Sequence, residues 1–211
     1  MKYVALGDSI TAFRAGVKVY FEFLQELQEE FPFTEMINSG VGGWKTSDLL
    51  AHLDNKCLQY HPGLVTIMLG TNDHAVYKGK TEPDVSLAAY ETNLRQIVQK
   101  IRDNGSIQAA PAEAPSVILM TPPFVATYMN VADTDVNQSR LLEYCHIVEK
   151  LSNELQTGFV DINSITGNGT DWDDQVFFEQ FTADEDGCHL NTKGHSLIVP
   201  AIRAAIKEQL S

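Results

Sequence analysis

Cysteine is scarce in this chain: Cys57, Cys145 and Cys188 make three in 211 residues, too few and odd in number for a disulfide framework. Their scarcity points to a reducing, cytoplasmic compartment. Basic residues are also few, 15 against 28 acidic ones, and the resulting formal charge of −13 argues against nucleic acid and anionic membrane surfaces as partners. No apolar run approaches the roughly 20 residues of a membrane span, so stable membrane insertion is not expected. No basic and apolar leader precedes the first strand, so a signal peptide is not expected either. Internal repeats and a phosphate-binding P-loop are missing as well. His52, His61, His74, His146 and His195 show no metal-ligand spacing with a cysteine or carboxylate, so neither a metal nor a cofactor is implied.

What is present is a single-domain pattern over residues 1–211, with 44% hydrophobic residues, enough for one substantial core. Strand-like runs at 2–6, 34–38, 64–69, 116–121 and 158–162 alternate with helical ones at about 18–30, 46–57, 84–104, 134–156 and 192–209. Leu94, Ile97, Val98 and Ile101 share one helix face, as do Leu197, Ile198, Ile202 and Ile206, and such stripes are core. Alternation of this kind predicts an α/β fold, a parallel sheet with helices on both faces that right-handed crossovers shape into a three-layer α/β/α sandwich.

Chemistry-bearing residues gather at the ends of the predicted strands. Tyr3 to Leu6 run into Gly7, Asp8 and Ser9; Met36 and Ile37 run into Asn38, Ser39, Gly40, Val41, Gly42 and Gly43; Leu64 to Leu69 run into Gly70, Thr71, Asn72 and Asp73. In open parallel sheets the carboxyl ends of the strands are where ligands bind. Asp8 and Ser9 alone are equally readable as the cap of a following helix. Near the far end of the chain stand Asp186, Gly187, Cys188 and His189. A hydroxyl, an imidazole and a carboxylate are the groups of a hydrolytic triad, and a glycine N–H with an asparagine amide are the parts of an oxyanion hole.

These four blocks, in this order, resemble the SGNH, or GDSL-type, esterase and lipase superfamily over residues 3 to about 200. The resemblance implies Ser9 as nucleophile, Asp186 and His189 as its triad partners, and the N–H groups of Ser9 and Gly43 with the Asn72 amide as oxyanion donors. It also implies a flavodoxin-like sheet of five strands in the order 2-1-3-4-5 and acyl transfer from an ester to water. Gly194 stands at the spacing that the family often shows after its histidine. Phe13 departs from the pattern, since many members carry a glycine there, and 13–19 is expected to form a loop over the site.

Asp8, Trp44 and Phe124 are candidate pocket residues. Phe124 belongs to the long connection 121–135, with Pro122, Pro123, Tyr128 and Met129, which either lines a pocket or packs on the body. The acidic stretch from Asp171 to Asp186 is expected to be a solvated loop, 109–115 a flexible surface loop, and His74 a surface residue. Cys188 raises a cysteine-nucleophile alternative, which Ser9 makes unnecessary. A nucleotide-binding sheet protein does not fit, because Lys45 stands where the third glycine of Gly-x-Gly-x-x-Gly is required. The expected activity is hydrolysis of small soluble or short-chain acyl esters such as acetylated carbohydrates, with a thioesterase or lysophospholipase as the alternative and an inactive ligand-binding protein as the rival from another class. Motif and fold do not choose among these substrates or set the oligomeric state.

Overall fold

The structure, a computed structural model, describes residues 1–108, 114–126, 134–168, 174–183 and 186–211. Along the chain the elements are β1 (Lys2–Gly7), α1 (Tyr20–Glu26), β2 (Glu35–Asn38), α2 (Thr46–Ala51), α3 (Leu53–Lys56), β3 (Leu64–Met68), β4 (Val76–Tyr77), α4 (Leu87–Gln108), β5 (Ser116–Met120), β6 (Thr134–Asp135), α5 (Gln138–Leu155), β7 (Gly158–Val160), α6 (Asp174–Phe181) and α7 (Thr192–Gln209). The main sheet runs β2-β1-β3-β5-β7 with every pair parallel, which is 2-1-3-4-5 when only its own strands are counted. β4 and β6 form a separate antiparallel ribbon, with Val76 opposite Asp135.

The period of two in the strands sorts their side chains to two faces. Tyr3 and Ala5 of β1 join Leu64, Met68, Ile118 and Met120 in the core under α1, α6 and α7. Val4 and Leu6 point the other way, into the core shared with α2 to α5. Tyr3, Val4, Ala5 and Leu6 are all fully buried, so the strand that leads to Ser9 is covered on both faces. Burial of each larger side chain of this kind stabilises the fold by about 1.5–3 kcal/mol.

Several elements differ from the sequence expectation for local reasons. The last long helix before β7 starts at Gln138, not 134, because the Asn137 side chain caps it by accepting from the Arg140 N–H. The segment expected as one helix over 46–57 breaks at His52 into α2 and α3. Within the acidic stretch, residues Asp174–Phe181 form α6 where a solvated loop is expected, since Phe177 and Phe181, four apart, bury one helix face while Glu179 stays exposed. Of the two long connections, 109–113 and 127–133, with Tyr128 and Met129, lie outside the described residues. Among the described residues, no helix is long and apolar enough to cross a membrane.

The loop after β2 presses against the loop after β1 at Gly40. A Cβ there would lie 2.4 Å from the Ala12 nitrogen and 2.7 Å from the Thr11 carbonyl carbon, both of them backbone. Gly40→Ala is therefore expected to destabilise the fold by about 1–3 kcal/mol, the range for overpacking, and to disturb the segment that carries Ser9. Urea unfolding checks it, and an unchanged midpoint would contradict the close approach.

Candidate active site

β1 delivers the chain to the carboxyl edge of the sheet and Asp8 turns it. The Asp8 carbonyl accepts from the N–H groups of Thr11 (3.2 Å) and Ala12 (3.0 Å), and its Oδ1 accepts from Ile10 N–H at 2.9 Å. Ser9 sits on this turn. The segment 13–19, expected as a loop over the site, continues as a tight turn in which Val17 N–H donates to the Arg14 carbonyl and Gly16 has φ +76°.

The second loop is clamped to the first. Asn38 Nδ2 donates to the Thr11 carbonyl at 2.7 Å, Gly40 N–H donates to Asn38 Oδ1 at 2.9 Å, and Val41 N–H donates to the Gly7 carbonyl at 3.0 Å. Val41 to Trp44 then form a turn closed by Trp44 N–H on the Val41 carbonyl, with Gly43 at φ +76° in its third position, where a side chain would be strained. A Cβ on Gly42 would come within 3.9 Å of Ser9 Cβ, so this turn lies directly beside the hydroxyl. Among the described residues, the Ser9 and Gly43 N–H groups have no acceptor.

Asn72, from the loop after β3, ties the two loops together. Its Nδ2 donates to the Trp44 carbonyl at 3.1 Å and lies 3.4 Å from Asp8 Oδ2. Asp73 beside it accepts at Oδ1 from the Thr46 N–H (2.9 Å) and hydroxyl (2.6 Å), which anchors the start of α2.

The fourth contribution comes from the far end of the chain, 180 residues from Ser9. His189 Nε2 lies 2.7 Å from Ser9 Oγ, and its Nδ1 lies 2.6 Å from Asp186 Oδ2. Asp186 Oδ1 meanwhile accepts from the N–H groups of Cys188 (2.9 Å) and His189 (2.8 Å), so one carboxylate folds its own loop and orients the ring. With the carboxylate ionised, Nδ1 carries the proton and Nε2 is left to accept from the serine hydroxyl. The loop is pinned on one side by Ala126 N–H on the Gly187 carbonyl at 2.8 Å. On the other side Asn191 caps α7 by accepting from Gly194 N–H.

Environment separates the carboxyl groups. Burial pushes the Asp186 pKa upward, but the hydrogen bonds from the His189 ring and from the Cys188 and His189 N–H groups outweigh it, and the net shift is below the ordinary value. Asp8 is 1% exposed, and desolvation raises it to about 7 against the pull of the Ile10 N–H and His189. Desolvation likewise raises Asp73 to about 6, and its Oδ2 is buried without a hydrogen-bond partner among the described residues. Burial pushes the Cys188 thiol far up and keeps it neutral, which removes the thiolate that a cysteine nucleophile requires.

Ser9, Gly43, Asn72, Asp186 and His189 thus converge at one sheet edge, and packing accounts for the rings of two expected pocket residues, Trp44 and Phe124. The Trp44 indole packs on His52 at 5.2 Å with Lys56 Nζ 5.4 Å from its ring, and it is the Trp44 carbonyl that reaches Asn72. The Phe124 ring packs edge-on against Phe177 at 5.0 Å and fills the space beside Gly167, drawn there by the apolar core. Asp8 lies beneath the serine as a brace. His74 is buried, not superficial: its ring is 2.7 Å from the Thr71 carbonyl and accepts at Nε2 from Asn137 N–H, and burial lowers its pKa to about 4. Arg14, whose guanidinium is 3.9 Å from Asp186 Oδ2, had no sequence signal, because that carboxylate is at the other end of the chain. Among the described residues, no group of three or more His, Cys, Asp or Glu side chains is placed to hold a metal ion.

Residues 5–197 match the GDSL-like Lipase/Acylhydrolase family. An acetylxylan esterase of Geobacillus stearothermophilus is 27% identical over 162 residues, which cover 74% of this chain and 64% of that enzyme. A solved structure of an acetylxylan esterase from Geobacillus stearothermophilus superposes with a TM-score of 0.71 at 21% identity, covering 97% of this chain and 93% of that one. A lipase/acylhydrolase from Enterococcus faecalis superposes with a TM-score of 0.77 at 21% identity, covering 99% and 97% respectively.

The elevated Asp73 pKa makes a signed prediction. A carboxyl held above its ordinary value of 3.8 in the folded state contributes stability below pH 3.8 and loses it as the pH rises to about 6. Asp73→Asn keeps the oxygen that accepts from Thr46 and removes the buried charge. Its urea midpoint relative to the wild type is expected to rise between pH 4 and 7, and a difference independent of pH would contradict the assignment.

Proposed function

The chain belongs to the GDSL-like lipase/acylhydrolase family, and from that premise we propose that it is an esterase that cleaves carboxylic esters through an acyl-serine intermediate, with acetyl esters of carbohydrates as its substrate class. The observation that carries this reading is the relay from Ser9 Oγ through His189 to Asp186, two contacts of 2.7 and 2.6 Å.

Ser9 Oγ attacks the ester carbonyl carbon while His189 Nε2 takes the hydroxyl proton, and Asp186 stabilises the imidazolium through Nδ1–H. The carbonyl oxygen becomes an oxyanion held by the N–H groups of Ser9 and Gly43 and the Asn72 amide. The Asn72 contact to Asp8 is long at 3.4 Å, so this N–H is the one to turn to the oxyanion while the bond to the Trp44 carbonyl holds the amide in place. The tetrahedral intermediate collapses by expelling the alcohol, which takes the proton from His189. Water, activated by the same imidazole, then cleaves the acyl-serine and restores the hydroxyl.

The acetylxylan esterase likeness supports an acetyl-sugar substrate, and the charge of −13 supports a substrate that is not strongly anionic. The three free, buried cysteines support the cytoplasm as the compartment.

Hydrolysis of p-nitrophenyl esters from acetate to decanoate, alongside acetylated xylo-oligosaccharides, tests the reading. The wild type is expected to prefer acetate and to deacetylate the sugars, and Ser9→Ala to lose activity by roughly 10⁴-fold or more. Asn72→Ala is expected to lower kcat by about 10²–10³-fold with KM little changed. Full activity in Ser9→Ala would overturn the mechanism, and an optimum at long acyl chains would replace the acetyl assignment with a lysophospholipase or thioesterase.

A further inference from the structure

Resting on the triad and oxyanion reading above, we infer that Thr46 is a positioning residue of the reaction: bonded to Asp73 Oδ1 at 2.6 Å through its hydroxyl and at 2.9 Å through its N–H, it clasps the loop that carries Asn72 to the loop that carries Gly43 and so sets the distance between the two proposed oxyanion donors.

Thr46 and Asp73 are both fully buried. The Thr46 hydroxyl donates to Asp73 Oδ1 and accepts from Asn93 Nδ2 of α4 at 3.1 Å, so its direction is fixed from both sides. The loop after β3 is closed as one turn by the His74 N–H on the Gly70 carbonyl at 3.0 Å, with Asn72 and Asp73 inside it. A bond to Asp73 therefore fixes where the Asn72 amide stands. On the other side of the clasp, Gly43 precedes Thr46 by three residues, in the turn that the Trp44 N–H closes on the Val41 carbonyl.

Two links join these loops, and they differ in kind. The Trp44 carbonyl accepts from Asn72 Nδ2 at 3.1 Å, the same nitrogen that is to meet the oxyanion. The Asp73 bonds use no atom of the oxyanion hole, so they hold unchanged while the Asn72 amide answers the developing charge. Asp73 Oδ2 has no hydrogen-bond partner among the described residues, which leaves the two Thr46 bonds at Oδ1 to secure that carboxylate. Oxyanion donors act only within about 3 Å of the charge, and a displacement of about 1 Å costs up to about 10²-fold in rate.

The test is a double-mutant cycle on p-nitrophenyl acetate hydrolysis. Thr46→Val keeps the shape and the N–H bond and removes the hydroxyl. Its kcat is expected to fall by about tenfold with KM little changed, because the oxyanion forms only after the substrate is bound. Thr46→Ser, which retains the hydroxyl, is expected to keep kcat within about twofold of the wild type. In an Asn72→Ala background no amide is left to misplace, and there Thr46→Val is expected to cost less than about twofold. A purely structural defect lowers the active fraction by the same factor in both backgrounds. An equal loss in the two, or no loss in Thr46→Val alone, would therefore overturn the inference. Should Thr46→Val not fold, Asn93→Ala removes only the amide that orients the hydroxyl, and its loss of about threefold is expected to vanish beside Asn72→Ala. Failure of the parent reading looks different: an active Ser9→Ala sinks the triad, and a fully active Asn72→Ala sinks the oxyanion role of Asn72. A dead Ser9→Ala and an impaired Asn72→Ala, with a Thr46→Val loss that is equal in both backgrounds, sink the role of Thr46 alone.

Discussion

Everything at the site depends on β1 being buried on both faces between β2 and β3. A strand with no solvent side can release the chain only at its end, and the polar residues that follow must find partners immediately. Asp8 does so through the Ile10 N–H and its own carbonyl, and Asn38 does so through the Thr11 carbonyl. The three loops that leave β1, β2 and β3 are therefore joined by hydrogen bonds that satisfy buried groups. The site is the place where those obligations meet.

The same burial sorts the acids by task. Asp186 is drawn down by three hydrogen bonds despite its desolvation, whereas Asp8 and Asp73, deeper and with fewer donors, are pushed up. An ionised carboxylate stands where an imidazolium must be stabilised. Of the two acids raised by burial, Asp8 lies 3.4 Å from the Asn72 amide and Asp73 follows Asn72 in the chain, where a full negative charge would oppose the proposed oxyanion. Charge is thus graded across the site by solvation and by the count of N–H donors around each group.

Legibility in the sequence followed from how local each signal is. The four strand-end blocks, the sheet order and the pairing of Asp186 with His189 could be read because turn residues and family motifs lie within a few positions of one another. The stripes on α4 and α7 could be read because their period spans several turns. β4 and β6 could not, since two residues carry no period. α6 was hidden because Val176, Phe177, Phe178 and Phe181 crowd into one short run amid acidic residues and show no clear helical period. His74 was misjudged, and the ring directions of Trp44 and Phe124 were not legible, for a common reason: sequence places a residue next to a site, but packing decides which way its ring turns. Trp44 contributes a carbonyl where an indole was expected. The approach of Arg14 to Asp186 was invisible because the two are more than 170 positions apart.

The 180 residues between Ser9 and His189 also order events in time. At typical rates of synthesis the serine leaves the ribosome about 10–40 s before its base does. Until then β1 can find β2 and β3, and the loops that carry Ser9, Gly43 and Asn72 can assemble, yet the Ser9 hydroxyl has no imidazole beside it. Under the proposed mechanism the nascent chain thus carries a half-site that does not react, and the serine is armed only once the loop that holds His189 has docked.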